Sequence, residues 1–555
     1  MKLRHLLFGL LAGVAFVACT NDNEPAGVTP VKGDNEVAAV DGYMSLKFAM
    51  PGDNAATRAD GWTNEDGFLA ADADEIAVSG ATILFFDGDV QVADPFNTAG
   101  YDGTVVGDNA PWTAVADGTI DWTHEAVIVL RNAVKNPTSI VAILNALPQG
   151  VTVTRQTTMP QLLALAGDFR KADAKNFVMT NSVFVVGEGD KAEVQIGAPV
   201  TDTNVQKTEA LAKQHPVTIY VEKVVAKAKL TNGEDTDTGK TTKAGKKISV
   251  TVDKWWLDNA NPQSFLVKNL ATSYTELGNW SGWNDAANFR SYWATAYGIS
   301  KNTAEHSEYT KGVALDKVIY AQENTNQATP TQLVVAATLS VDGAPANTSI
   351  VKYLSEVYTA PDFETLLYGL ISEKYSTRTG GAGTTDDPYT YASVPKTAFT
   401  FDFETNTSET TVKFDGKDIE DYEAVVSMTY TGTDALYTTD GTTYTEVPKA
   451  TYDADFASLS RKVQYWDGGA TYYFTPIVHN LDVLDADKNP LYGIIRNHLY
   501  DITIKSITGL GTPVANTKSG KEIIPDIPVD EETYLAAEVK ILKYKVVKNE
   551  VDLGK

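Results

Sequence analysis

The sequence predicts a mainly β protein, built as β-sandwiches with short helical inserts, on three observations. Runs rich in β-branched and aromatic residues recur along the chain: Ala81 to Val90, His124 to Leu130, Thr138 to Leu147, His215 to Leu230, Lys247 to Leu257, Thr331 to Val341 and His498 to Ile507. Helical periodicity is confined to Pro160 to Ala166, roughly Val205 to Lys213, and Asp362 to Glu373, where Pro361-Asp362 supplies a start signal ahead of Phe363, Leu366, Leu367 and Leu370. With 555 residues, 43% of them hydrophobic, the chain can bury one to three cores, because a domain takes about 100–200 residues.

Charge and cysteine content narrow the function classes. The chain has 46 Lys plus Arg against 72 Asp plus Glu, a formal net charge of -26, which excludes a groove tracking nucleic-acid phosphates, since that affinity comes from basic side chains. One cysteine makes neither an internal disulfide nor a thiolate zinc site, so packing and sheet pairing stabilise the fold.

That cysteine stands behind an export signal. Lys2 and Arg4 form a positive start, Leu6 to Val17 is an uncharged, largely apolar run, and Ala18-Cys19 follows. The run is shorter than the about 20 residues a spanning helix needs, so it reads as a signal peptide over residues 1–18. Residues 20–36 are polar and rich in Pro, Gly, Asn and acid, as suits a flexible tether. Period-2 alternation then begins: Met44, Leu46, Phe48 and Met50 share one face, Tyr43, Ser45, Lys47 and Ala49 the other, and Pro51-Gly52 ends the strand. Arg58 lies in the polar loop that follows, and no other Lys or Arg occurs between Lys47 and Arg131. A basic-specific protease would find one conspicuous site there.

A domain boundary is expected at 211–217, where Pro216 follows a helical stretch and opens a new strand run. After Ile507 the chain becomes a Gly/Pro/polar linker, and strand character resumes at Leu535. Leu535, Ala537, Val539 and Ile541 share one parity, Leu542, Tyr544 and Val546 the other, and Val551 and Leu553 return to the first. A β-bulge at Ile541-Leu542 would accommodate the switch. The pattern alone equally allows an edge strand folded back on its own domain.

No pattern carries catalytic or metal chemistry. The six histidines are far apart in sequence, without His-x-x-x-His spacing. Gly233 to Thr241 misses the phosphate-loop rule because Glu234 stands where the first Gly belongs, and reads as a hairpin turn. Asp485 to Gly493 begins like a calcium loop, but Pro490 replaces its Gly and Arg496 its final Glu, leaving an acidic turn. Trp255-Trp256 and Tyr472-Tyr473 are expected in the core rather than on a sugar platform. The reading is of a non-enzyme without cofactor or metal.

Several strings resemble the fimbrillin family, the two-domain pilins of type V pili of anaerobic Gram-negative bacteria, and in particular the Mfa-type subunits: ILFFDGD (Ile83 to Asp89), FVMTN (Phe177 to Asn181), VEKVVAKAKL (Val221 to Leu230), FRSYWA (Phe289 to Ala294), YAQENT (Tyr320 to Thr325) and YGIIRNHLYDITIKSITGLGTP (Tyr492 to Pro513). Residues 375–460 hold no matching string, and Lys223 stands where Arg is commoner in the family. Phe16-Val17-Ala18-Cys19 likewise resembles a lipobox. The resemblance implies two transthyretin-like β-sandwich domains, 59–215 and 216–508, behind a lipidated propeptide, 19–58, whose strand 43–50 is displaced; a linker, 509–534; and a C-terminal donor strand, 535–555. It implies lipidation of Cys19, export to the outer membrane and cutting between Arg58 and Ala59 by an Arg-specific surface protease. The groove left by Met44, Leu46, Phe48 and Met50 is then filled by the next subunit's donor residues Val539, Ile541, Leu542, Tyr544, Val546, Val551 and Leu553. The implied partners are further copies head-to-tail and anchor and tip fimbrial subunits, with no nucleic acid and no membrane contact beyond the precursor lipid. A tip or adhesin subunit, and a surface glycan-binding lipoprotein, are the competing readings.

Overall fold

The alternation centred on Leu46 becomes strand β1 (Gly42–Ala49), which takes an interior place in a nine-stranded sheet. The computed structural model describes residues 42–49, 73–97, 124–181, 184–186, 193–231, 237–268, 296–298, 312–484, 490–517, 534–543 and 546–547. On one side β1 runs antiparallel to β2 (His124–Leu130), in register from Gly42 opposite Leu130 to Phe48 opposite His124. On the other it runs parallel to β3 (Val217–Lys223), from Leu46 opposite Val217 to Ala49 opposite Tyr220. The sheet continues from β3 through Met179–Asn181, Ser139–Leu144 and Ala81–Asp87 to Val90–Gln91. One apolar cluster unites Met44, Leu46 and Phe48 with Ile128, Leu130, Ile219 and Val221, and with Ile83, Phe85 and Ile140 from the far end of the sheet, so the sheet folds over a shared core. Ser139–Leu144 is buried at every position because Val141 and Ile143 face a second cluster on the other side.

Among the described residues helices remain few and short: α1 (Ala73–Ile76), α2 (Met159–Ala164) and α3 (Glu209–Ala212) in this first part. Thr158 and Gln161 form a reciprocal capping box on α2, and the Thr208 side chain caps α3.

The run from His215 to Leu230, expected as one stretch, is two strands belonging to different sheets. β3 pairs with β1 and Met179–Asn181, so the strand expected to open the second domain lies in the first sheet. The chain leaves that sheet at Val224-Val225, both buried, and continues as β4 (Ala226–Thr231). There begins a sandwich of two five-stranded sheets. One has the order Val318–Ala321, β4, β8 (His498–Thr508), β9 (Tyr534–Lys543) and Val546–Val547; the other, Asp237–Thr241, β5 (Lys247–Asp258), β6 (Gln332–Val341), β7 (Ala470–Pro476) and Thr512–Pro513. Its core takes Leu230, Tyr500, Ile502 and Ile504 from the first sheet and Ile248, Val250, Leu333, Val335 and Tyr473 from the second. The register of β5 on β6 shifts between Val252 and Lys254, a bulge at Asp253 that turns Trp255 inward behind Ile248, Val250 and Val252. Trp256 and Tyr472 pack edge to face at 5.4 Å on the opposite side of that sheet. All four aromatic residues of the Trp255-Trp256 and Tyr472-Tyr473 pairs are buried core.

Strands β6 and β7 pair directly, Gln332 opposite Pro476 to Thr338 opposite Ala470, although residues 342–469 separate them in sequence. That inserted stretch, which includes the 375–460 region without a matching string, folds into its own five-stranded sheet (Glu356–Thr359, Ile350–Tyr353, Arg461–Trp466, Glu423–Tyr430, Phe399–Thr405) and a four-stranded one (Thr390–Ser393, Ser376–Gly380, Leu436–Thr439, Tyr444–Glu446). Helix α4 (Ala360–Gly369) buries Phe363 and Leu367; it starts two residues earlier than expected because the Thr359 hydroxyl, not Pro361-Asp362, accepts the capping bond, from Asp362 N at 3.2 Å. Helix α5 (Lys449–Ser458) was not anticipated; its signal is the i, i+4 pair Tyr452 and Phe456, both buried. Trp466, fully buried in the sandwich core, ties the insert down through its Nε1–H, which donates to the Leu510 carbonyl at 3.0 Å. The described residues, all within 39–555, hold together as one compact unit.

Leu46→Ala in the uncut chain is expected to cost about 2–5 kcal/mol, the range for a large side chain truncated in a closed core. Leu354→Ala, at a position 80% exposed, is expected to stay within about 0.5 kcal/mol. Urea denaturation of the two variants checks this, and equal midpoints would mean that β1 contributes no core.

Candidate functional site

Strand β1 fills a slot with two walls. Its backbone bonds both neighbours, and where β3 has not yet begun, Tyr43 N donates to the Gln206 carbonyl at 2.7 Å and Gln206 N returns to the Tyr43 carbonyl at 2.9 Å. Among the described residues β2 has no strand partner other than β1. Without β1 the slot would present an edge of β3 on one side and an orphaned β2 on the other, with unpaired backbone groups on both.

The side chains make the slot selective. Met44, Leu46 and Phe48 are 0% exposed on the core face. Ser45, on the opposite face, is also 0% exposed, and α3 packs against this strand with Ala212 fully buried. Tyr43 and Lys47 are half-buried. At Gly42 a side chain would meet Val205 Cγ1 at 2.6 Å, so the strand enters the slot where only glycine fits without a shift.

The C-terminal strand lies at the other end of the chain's topology. β9 pairs antiparallel with β8, Tyr534 opposite Thr508 to Lys543 opposite His498, so it is folded back on its own chain. Among the described residues only the two-residue strand Val546–Val547 lies beyond it in the sheet. The expected bulge at Ile541-Leu542 is absent: both residues pair in continuous register with Tyr500 and Leu499. The irregularity falls between Ile504 and Ser506 on β8, where the exposed Lys505 is the extra residue that returns Ile507 to the core.

The residues singled out from sequence thus separate into groups. Met44, Leu46 and Phe48 come together in the slot. Val539, Ile541 and Leu542 lie on β9 opposite Ile502, Tyr500 and Leu499, and Val546 pairs back on Leu542. Cys19, Met50, Arg58, Ala59, Tyr544, Val551 and Leu553 fall outside the described residues.

Sequence reasoning missed the charges buried where the first sheet meets the sandwich. On β3, Glu222 binds Lys268 at 3.1 Å with both side chains fully buried. Arg496, just before β8, pairs with Glu323 at 3.0 Å and donates to the carbonyls of Phe265 at 2.7 Å and Leu266 at 3.1 Å. Glu75 of α1 takes the Lys223 ammonium, the Lys227 ammonium at 2.6 Å and the Tyr320 hydroxyl at 2.6 Å. Burial alone raises the Glu75 carboxyl, but the charge of Lys223 and the donors Lys223, Lys227 and Tyr320 outweigh it and bring it down to about 2. Glu222 moves the other way, pushed up by burial against the pull of Lys268 and Arg496. Lys223 therefore makes the ion pair its position requires. The only sequence signal was a set of charged residues set among apolar ones.

Residues 464–550 match the family model described as major fimbrial subunit protein type IV, fimbrillin, C-terminal. No curated protein matches the chain. Among solved structures, a protein assigned to cell adhesion from Bacteroides eggerthii aligns over 91% of this chain and 97% of its own at 11% identity, TM-score 0.35. A fimbrial assembly protein from Parabacteroides distasonis aligns over 55% and 83% at 13% identity, TM-score 0.28. The C-terminally truncated tip fimbrial protein Mfa3 from Porphyromonas gingivalis aligns over 90% and 99% at 13% identity, TM-score 0.28.

Glu75 ionises well below its ordinary 4.5 in the folded chain, so its contribution is complete above that value and is lost as pH falls from 4.5 towards about 2. Glu75→Gln is expected to cost up to about 3 kcal/mol near neutral pH. The gap between variant and parent should shrink steadily below pH 4.5, measured as urea midpoints at stepped pH; a gap independent of pH would remove the charge from the account.

Proposed function

We propose that the chain, whose residues 464–550 match the fimbrillin C-terminal model, is a fimbrillin and a structural subunit (pilin) of a surface fimbria, exported as a lipoprotein on Cys19, cut between Arg58 and Ala59 and polymerised by strand exchange to support adhesion. One observation carries the reading: the strand that precedes Arg58 in the sequence is not an edge strand but an interior one, bonded on both sides and fully buried at Met44, Leu46 and Phe48. Cutting behind such a strand leaves a slot whose backbone and apolar groups are all in want of a partner.

The donor is the C-terminal strand of the next subunit, Leu535 to Leu553, reaching out from beyond Thr517; the first part of the expected linker 509–534 is built into the sandwich instead, where Thr512–Pro513 pairs with β7 and Leu510 and Val514 are buried. Four large apolar residues leave, and the seven carried along the donor would be worth about 10–20 kcal/mol as an upper bound if every one were buried, most of which backbone ordering at roughly 1–2 kcal/mol per residue offsets. Direction therefore comes from the cut, which turns a tethered competitor into a peptide that diffuses away. A head-to-tail contact that does not close grows an open filament. The mature chain, 59–555, keeps 41 basic against 66 acidic residues, which suits a solvated extracellular fibre. Its partners are copies of itself and the anchor and tip subunits of the same fimbria. We place the boundary between its two sandwich domains at Val224-Val225, where the chain changes sheets.

Treating the purified precursor with an Arg-specific protease is expected to give material beginning at Ala59 that ladders on a gel. Arg58→Ala should stay uncut and unassembled, and a chain ending at Tyr534 should be cut yet remain monomeric. Ladders from the shortened chain would overturn the donor assignment.

A further inference from the structure

We propose that the fully buried Ser45 position acts as a gate that fixes the register of the incoming strand, admitting Ala536 there and aligning Tyr534 to Val539 with Tyr43 to Phe48. This deepens, and rests on, the donor-strand reading above.

The argument begins from the two faces of β1. An interior strand has both faces covered, so a replacement must satisfy two patterns at once: apolar residues in the places of Met44, Leu46 and Phe48, and a small one in the place of Ser45, where no exposed surface remains. The C-terminal segment YLAAEVKILK offers small residues only at Ala536 and Ala537. Ala537 in the Ser45 place would send Glu538 into the position of Leu46, an unpaired carboxylate in an apolar core. Ala536 there, with the chain in the direction of β1, puts Leu535, Ala537 and Val539 in the places of Met44, Leu46 and Phe48, and Tyr534 in that of the half-buried Tyr43. In the reverse direction Thr533 would stand for Phe48. The alignment that puts Ala537, Val539 and Ile541 in the places of Met44, Leu46 and Phe48 drives Glu538 into the Ser45 place, and burial of that charge excludes it.

The register has three further consequences. Thr533 would fall where Gly42 lies against Val205, so the donor enters the slot at Tyr534, at the end of the linker. Ala537 replaces the larger Leu46, leaving that part of the core underfilled. Glu538 replaces Lys47, whose partner in the ladder is Glu125, so two acids stand directly opposite across the strands.

Adjacent alanines should therefore respond in opposite ways. In the protease-treated full chain, Ala536→Leu is expected to lower polymer yield by roughly tenfold or more, as overpacking a closed site does, whereas Ala537→Leu fills the vacancy and raises it. Glu538→Lys should also raise it by restoring the charge of Lys47. In a Cys19→Ala background, Val127→Cys, the position opposite Ser45, should form an intersubunit disulfide with Ala536→Cys and not with Glu538→Cys. Cross-linking at Glu538→Cys instead, or equal tolerance of leucine at both alanines, would overturn the register. Since both alanines also lie on β9, folding of each monomer is checked by its thermal melt, and yields are compared only between variants that melt with the parent. If removal of Leu535 to Lys555 leaves polymerisation intact, the donor reading itself fails, a result distinct from any of these.

Discussion

Everything distinctive here follows from the obligation of buried backbone groups to be paired. β1 sits between β2 and β3, and each N–H and C=O it takes from solvent must find a partner in one of those walls or in Gln206. A strand so placed cannot be lost without a replacement, because β2 would be left without a described partner and the apolar cluster around Leu46 would open to water. An edge strand in the same sequence position could be removed at little cost and would give no such slot.

The junction between the first sheet and the sandwich obeys a different rule. Glu75, Glu222, Lys223, Lys268, Glu323 and Arg496 are taken almost wholly out of water, which costs heavily unless each charge is paired and bonded, as Glu75 is by two ammonium groups and a phenol. Such a contact is intolerant of sliding: moving one partner strands the other as an isolated charge. β3 belongs to both systems at once, as a wall of the slot through its backbone and as the carrier of Glu222 and Lys223 at the junction. The slot is therefore braced against the sandwich.

Strand existence was legible from composition because these strands alternate or run continuously apolar according to whether one or both faces are covered; His124–Leu130 is found within its expected bounds. The core role of Met44, Leu46 and Phe48 was legible for the same reason. What escaped were features set by pairs distant in sequence. The split of His215 to Leu230 between two sheets turns on Val224-Val225, two β-branched residues that look like the middle of a strand. The 342–469 insert is invisible until β6 and β7 are seen to pair across it. Helix α5 was missed because its N-cap, Pro448, makes no side-chain bond and leaves only Tyr452 and Phe456 to mark it.

By itself the sequence determined the composition of the strands, the apolar run ahead of the single cysteine, Arg58 as the one basic residue between Lys47 and Arg131 and the apolar parity of both terminal strands, because each depends on near neighbours along the chain. Only the tertiary structure decided that β1 is interior, that it runs parallel to β3, that Ser45 is sealed on the second face and that β9 lies folded back on β8. Those facts depend on which strand lies beside which, and the pairing energy that selects neighbours comes from contacts between segments hundreds of residues apart, as with Lys223 N and the Asn497 side chain at 3.1 Å.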